Sequence, residues 1–414
     1  MSNSEKKPKL VGILPIFDTT DNLAFEATFP AYLKVYTKYK KDYLGAHSFL
    51  YAYKDNSATF NAYRREVERL LHWSWQIAQQ SIFDLKRVEI EAYIKFCQKP
   101  PKKWIGVSKP ARFMTENGKR IPNPNWRPFV ATASKVASRS GEKPNQADYA
   151  LSEKAVREIF AVLSSFYNFL IQEEYTEINP ISLIRQKSKF IRKQQGPKKI
   201  RRLSDLQWAF VIETAELMAK EDERHERTLF MLSAFYLMYL RISELVITDR
   251  WAPKMSDFKR DHDGAWWFTT VGKGNKERQI AVSQAMLVAL KRWRKHLGVT
   301  ALPSPDDQTP LIAAERGNSG ITSTNQIRNI IQACFDRAAQ RMIEEGLEEE
   351  IGELQSATVH WLRHTGISDD VKRRPREHVR DDAGHSSSQT TDRYIDVNLH
   401  ERHHSAKNKP IKNG

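Results

Sequence analysis

Tyr394 closes the run Ala383-Gly-His-Ser-Ser-Ser-Gln-Thr-Thr-Asp-Arg-Tyr394, a lone phenol behind a Gly-His pair. Upstream stand His360-Trp-Leu-Arg363-His364 and, farther back, Leu240-Arg241-Ile-Ser-Glu244. Breaking and remaking a phosphodiester bond without a metal takes a nucleophile, two guanidinium groups to hold a five-coordinate phosphate, and groups that carry protons. Each of these residues is common by itself; the set is rare. A spacing of three puts His360 and Arg363 on one helical face, and a spacing of four aligns His360 with His364. The two histidines could share a zinc ion, yet no Glu follows the first and no third ligand stands nearby, which argues against zinc. Arg241 taken alone reads equally as a partner for Glu244 or as an anion site, because a guanidinium beside an apolar helix needs an acid or an anion.

The elements that must position these groups are mostly helical. Residues 229–245 predict a buried helix that delivers Arg241 to the start of the next element. Residues 265–271 and 276–282 are β-rich and bracket Gly272-Lys273-Gly274-Asn275, predicting a hairpin with Lys273 near its tip. Ser204 with Gln207 three residues on, behind Leu203, predicts a capping box and hydrophobic staple. Helical periodicity resumes over 325–345 and continues in pieces to Tyr394.

The first half, about 22–179, also reads as helical. Tyr63, Val67, Leu70, Leu71 and Ser74 make one apolar stripe, with Arg64, Arg65, Glu66 and Glu68 expected on the other faces. Ala155, Ile159, Val162, Leu163, Phe166 and Leu170 make another behind Ser152, an expected N-cap. Between them, residues 99–128 carry six prolines and eight Lys or Arg against the single acid Glu116, predicting an irregular basic excursion whose Trp104, Phe113 and Trp126 either anchor it, the safer reading, or lie against nucleic acid. After Asn179-Pro180, residues 185–202 hold nine basic residues and no acid: Arg185, Lys187, Lys189, Arg192, Lys193, Lys198, Lys199, Arg201 and Arg202. That composition, broken by Gly196-Pro197, suits a strap along a phosphate backbone.

At 414 residues the chain is long enough for two domains, and 66 Lys+Arg against 50 Asp+Glu leave +16, so a polyanion is the expected partner. Cys97 and Cys334 are the only cysteines, which points to a reducing cytosol and away from disulfides or a Cys-based metal site. Residues 1–9 are polar and lysine-rich, unlike a secretory signal, and the apolar run 229–240 is too short to span a bilayer; no membrane role is expected.

Leu240-Arg241-Ile-Ser-Glu-Leu245, Gly272-Lys273-Gly-Asn-Lys-Glu-Arg278, His360-x-x-Arg363-His-Thr365 and Gly384-His385 with Tyr394 nine residues on resemble the ordered active-site boxes of the tyrosine recombinases, the phage-integrase family. The segments 57–65 and 161–180 resemble the family's helical core-binding domain, so the likeness runs from about Ala24 to Tyr394. Three features depart from the family pattern: Met238-Tyr239 precedes Leu240 where Thr-Gly is usual, Ala383 replaces the usual Leu, and the excursion 99–128 is extra.

The resemblance implies a mostly α fold with a small antiparallel β-sheet. A flexible 1–21 would precede a helical, SAM-like core DNA-binding domain over 22–184. A basic linker over 185–202, an α+β catalytic domain over 203–396 and a basic tail over 397–414 would follow. By position, Arg241 and Arg363 would clamp the scissile phosphate, Tyr394 would attack it, and His360 would be general base. Lys273, with Lys276 as competitor, would be general acid, His385 would bond the phosphate, and Glu244 would orient the cations. The implied reaction is site-specific recombination through a 3′-phosphotyrosyl intermediate, with no ATP, metal or other cofactor. It would integrate, excise or resolve a mobile element in a bacterial cytoplasm, at the nucleoid. The implied partners are double-stranded DNA with specific core sites, a homotetramer on two duplexes, and accessory DNA-bending or element-encoded proteins. The short segment 1–21 leads to the expectation of simple core sites rather than arm sites. A type IB topoisomerase-like nicking and closing enzyme is the alternative.

Overall fold

The computed structural model describes residues 12–133, 137–138, 141–187, 201–249, 251–272, 275–314, 319–385, 387–392, 394 and 407. The chain divides into two compact units, Met1–Gln195 and Gly196–Gly414.

In the first unit, α1 (Lys40–Tyr51), α2 (Ser57–Trp73), α3 (Arg87–Gln98), α4 (Glu153–Gln172) and α5 (Pro180–Lys187) surround one core. Asn56 caps α2 by accepting the Thr59 N–H at 3.1 Å, and Ser152 caps α4 by accepting that of Ala155 at 3.2 Å. Both apolar stripes face inward: Val67, Leu70, Leu71, Leu163, Phe166 and Leu170 are fully buried. Arg64, Glu66 and Glu68 on the polar side of α2 are buried too, while Arg65 is exposed. Glu68 accepts the main-chain N–H groups of Ile16 and Phe17 and pairs with Arg112, while Arg64 donates to the Asp18 carbonyl. The N-terminal segment and the 99–128 excursion therefore cover α2, and each buried charge on that face has its partner.

The excursion is ordered rather than irregular. It holds a parallel pair, β1 (Ile105–Gly106) with β4 (Phe129–Val130), and an antiparallel hairpin, β2 (Phe113–Glu116) with β3 (Lys119–Pro122). Asn117 and Gly118 turn the hairpin with φ of +49° and +73°, the left-handed pair that matches strand twist. Trp104, Phe113 and Trp126 are buried as anchors, and Arg120 fastens the hairpin to Asp18 at 2.7 Å.

In the second unit the helices are α6 (Asp205–Glu221), α7 (Glu226–Leu237), α8 (Gln284–His296), α9 (Thr324–Glu344), α10 (Ile351–Ser356), α11 (Val359–Asp370), α12 (Arg376–Ala383) and α13 (Ser388–Asp392). They enclose a core that also takes one face of an antiparallel sheet, β5 (Phe258–Arg260), β6 (Trp266–Val271) and β7 (Glu277–Ala281), through the cross-strand neighbours Phe258, Phe268 and Ile280. The capping box forms as expected: Ser204 Oγ accepts from Gln207 N at 3.2 Å and Gln207 Oε1 from Ser204 N at 3.0 Å. Helix α7 stops at Leu237, eight residues short of the predicted end. Tyr239 lies at φ +50°, which no helix accommodates, and the chain then runs extended into a 3₁₀ turn, Ile242–Glu244. Helix α11 crosses α7 at backbone contact, because a Cβ on Gly366 would run into the Tyr236 carbonyl oxygen.

Candidate active site

Arg241 sits at the N-cap of the Ile242–Glu244 turn, and its N–H donates to Glu244 Oε2 at 2.7 Å while its Nη1 reaches Oε1 at 3.0 Å. Glu244 is 1% exposed and holds a second arginine. Arg278, from β7, meets it with both ends of its fork, at 2.6 and 2.8 Å, and donates Nε–H to the Asp382 carbonyl at 3.0 Å. Burial pushes the Glu244 carboxyl up, but hydrogen bonding and charge from Arg278, then Arg241, outweigh it and hold the group below its ordinary value. Gly272 lies directly on this cluster: a Cβ there would sit 3.2 Å from Arg278 Nη1, 3.2 Å from Glu244 Oε1 and 3.3 Å from Arg241 Nη1.

Arg363 comes from α11 and is 2% exposed. Its Nη1 donates to the Tyr239 carbonyl and its Nη2 to the Ala383 carbonyl at 2.5 Å. Arg241 Nη2 donates to the next carbonyl, Gly384, at 3.2 Å. Two guanidinium groups from distant segments thus meet on consecutive carbonyls at the end of α12, where Gly384 caps the helix at φ +62°. Burial, then repulsion from Arg241 and Arg278, pushes Arg363 down to about 9, which leaves it charged at neutral pH.

His385 follows directly. Its Nδ1 lies 2.9 Å from Thr391 Oγ1, and its ring stacks on Tyr394 with centroids 5.8 Å apart. Tyr394 belongs to a small buried cluster with Tyr239, Ile367, Val379 and Ala383. Its other side meets the edge of His364 at 5.4 Å, and His364 in turn meets His360 at 4.2 Å. His364 Nδ1 lies 3.0 Å from the Arg201 carbonyl, so Nδ1 is the protonated nitrogen. Burial and the neighbouring cations push His360 and His385 each down to about 4; for His360 the next cause is His364, for His385 it is Arg363. Both rings are neutral at pH 7, able to accept a proton or a hydrogen bond.

The second unit therefore brings together five of the six expected catalytic residues, with Glu244 beneath them. Lys273 lies outside the described residues. What is described of its turn is the Gly272 N–H bonded to the Lys276 carbonyl at 2.8 Å and Asn275 at φ +59°, with Lys276 exposed. Of the strap, Arg202 pairs with Asp369 at 3.5 Å, and Leu203 N–H bonds Thr365 Oγ1 at 3.0 Å. Arg185 and Lys187 lie on α5, with side chains outside the described set, as are Lys189, Arg192, Lys193, Lys198 and Lys199 altogether. Sequence reasoning assigned no role to Arg278, Tyr239, Arg374 or Asp382. The one available signal was Glu244: a buried carboxylate wants more than one cation, and Arg278 is in the same motif as Lys273.

Residues 211–401 match the model described as the phage integrase family. Tyrosine recombinase XerC of Thermodesulfovibrio yellowstonii is 27% identical over 252 residues, 60% of this chain and 73% of that protein. Tyrosine recombinase XerD of Rickettsia bellii is 27% identical over 152 residues, 36% of this chain and 45% of that one. The structure of the XerH site-specific recombinase, solved as a post-cleavage complex with its difH substrate, superposes with a TM-score of 0.54 at 15% identity. That superposition covers 86% of this chain and 82% of XerH, and shows a shared fold. The matched segment holds every described residue of the site, and it is a phage integrase family domain, the catalytic part of a tyrosine recombinase that cleaves and rejoins DNA.

Proposed function

We propose that Tyr394 is the nucleophile of this recombinase and that the chain integrates, excises or resolves a mobile element. The observation that carries the chemical part is the meeting of Arg363 and Arg241 on the Ala383 and Gly384 carbonyls, next to the His385 ring stacked on Tyr394. Those carbonyls orient the two guanidinium forks and leave other N–H groups of each for the non-bridging oxygens of a phosphate. As Tyr394 Oη bonds to phosphorus, His360 takes the phenolic proton, His385 bonds a phosphate oxygen, and Lys273 protonates the departing 5′-oxygen. The product is a 3′-phosphotyrosyl enzyme and a free 5′-hydroxyl. A 5′-hydroxyl from another strand reverses the step, and because the phosphotyrosine keeps the bond energy, no ATP is consumed.

The first unit, with the strap from Arg185 to Arg202, serves as the core-site DNA-binding part, and four protomers on two duplexes complete the exchange. The +16 charge supports the DNA-binding part of this reading. The expected result with Tyr394→Phe is complete loss of covalent trapping on a nicked target duplex with near-normal binding; an adduct from this variant sinks the nucleophile assignment. For the biological role, adducts trapped on fragmented source DNA should map to the ends of an element that carries this gene. Adducts confined to one chromosomal locus unlinked to any element overturn the mobile-element reading.

A further inference from the structure

Tyr239 is a bulky residue in a conformation that favours glycine. At φ +50° its backbone is strained, and such a conformation persists only where surrounding contacts impose it. Here they are extensive. The side chain is fully buried, packed with Ile367, Val379, Ala383 and Tyr394. The left-handed turn aims its carbonyl at Arg363 Nη1. Its hydroxyl donates to Asp370 Oδ2 and accepts from Arg374 Nη1 at 3.0 Å.

From Arg374 the contacts continue without a gap to the other arginine of the clamp. Arg374 Nη2 meets Asp382 Oδ2 at 2.5 Å, and the Asp382 carbonyl accepts from Arg278 Nε at 3.0 Å. Arg278 grips Glu244, and Glu244 grips Arg241. Arg363 and Arg241 are thus the two ends of one hydrogen-bonded circuit, closed across the consecutive Ala383 and Gly384 carbonyls. Desolvation, with Asp370 beside it, raises the Tyr239 phenol far above its ordinary value, so the hydroxyl stays protonated and able to donate.

We infer that Tyr239 is a positioning residue for DNA cleavage: its carbonyl and hydroxyl together set the spacing of the Arg363 and Arg241 guanidinium groups, and its ring seats Tyr394. This rests on the reading of those arginines as the phosphate clamp and of Tyr394 as nucleophile. A glycine would adopt the backbone without strain but would lack both the ring and the hydroxyl, so the strain is retained for what the side chain does.

The test uses the full chain and single-turnover adduct formation at saturating DNA, on two nicked duplexes. One carries an ordinary scissile phosphodiester; the other carries a methylphosphonate, which lacks the negative non-bridging oxygen that the clamp would hold. Tyr239→Phe keeps the ring and removes only the hydroxyl. On the phosphodiester it should cleave about tenfold more slowly with DNA affinity within about threefold of wild type, and on the methylphosphonate its deficit should shrink to less than about threefold. Asp370→Asn weakens the circuit on the far side of the same hydroxyl and should show the same pattern, so misfolding of one variant cannot hide the result. Wild-type rates in both variants, equal deficits on both duplexes, or a loss of binding that parallels the loss of rate would overturn the inference. Tyr394→Phe separates the two ideas: an adduct from that variant overturns the nucleophile reading, whereas the two-duplex comparison in a chain with Tyr394 intact judges Tyr239.

Discussion

Arg363 spends two of its donors on main-chain carbonyls, those of Tyr239 and Ala383, before any substrate arrives. A guanidinium held this way is preorganised, as the proposed role of Arg363 in holding a phosphate requires. Arg241 depends instead on a carboxylate that Arg278 shares. Arg278→Ala leaves buried Glu244 with one cation fewer, so single-turnover cleavage should fall about tenfold or more while Arg278→Lys recovers part of it; equal rates for alanine and wild type would show that Glu244 orients Arg241 unaided. The histidines set the pH range. With His360 held at about 4 by burial and by His364, Arg363 and Arg241, the acid limb of kcat/KM for cleavage should lie well below the 6.5 of a free imidazole. A limb at 6.5 would remove His360 as the base. The sign for stability follows from the same shift: His360 and His385 bind a proton more readily unfolded than folded, so folding stability is full above about 6.5 and falls as pH drops toward about 4.

At the scale of elements, the site is built where helix ends and turns meet rather than on helix faces. Helix α7 stops so that Tyr239 and Arg241 can turn into the site, α12 stops at Gly384 to present two carbonyls, and the β6–β7 turn passes over the Arg278, Glu244 and Arg241 cluster at Gly272. Helix α11 contributes from within, through His360, Arg363 and His364, and it can do so because Gly366 lets it approach the α7 backbone at Tyr236. Gly366→Ala should therefore cost about 1–3 kcal/mol of stability and slow cleavage together, read by thermal melting and adduct formation. A variant that melts normally would mean the helices separate freely at that crossing. The linker end is fastened to the same helix three times, by Arg201 O to His364, Leu203 N to Thr365, and Arg202 to Asp369.

For the whole molecule, charge and layout concern DNA. The strap between the units holds nine of the chain's 66 basic residues in eighteen positions with no acid to offset them. Replacing Lys189, Arg192, Lys193 and Lys198 by Gln should flatten the slope of log affinity against log salt by about 3–4, if each meets one phosphate. An unchanged slope would make the strap a plain connector. In the first unit the acids of α2 are consumed within the fold, Glu68 by Arg112 and main-chain N–H groups of the N-terminal segment, Glu66 by Arg65 and Arg69. The lysines of the excursion, Lys99, Lys102, Lys103, Lys109 and Lys119, stay exposed on a folded support.

The sequence by itself determined which groups could do the chemistry, since Arg241, His360, Arg363, His385 and Tyr394 stand in ordered motifs whose spacing survives in any correct fold. It also determined the local signals that end in short-range hydrogen bonds, such as the Ser204–Gln207 box and the Ser152 cap, because both partners lie within one helical turn. Even the Asn117-Gly118 turn was legible in principle, though proline and charge counts hid it. Only the tertiary structure decided that α7 ends at Leu237, that Arg64, Glu66 and Glu68 of α2 are interior, and that Tyr239, Arg374, Asp382, Arg278 and Glu244 join the two arginines. The physical reason is that such positions are set by partners from remote segments: a left-handed backbone or a buried carboxylate becomes favourable only once distant donors are in place, and no local pattern in the chain records where those donors will be.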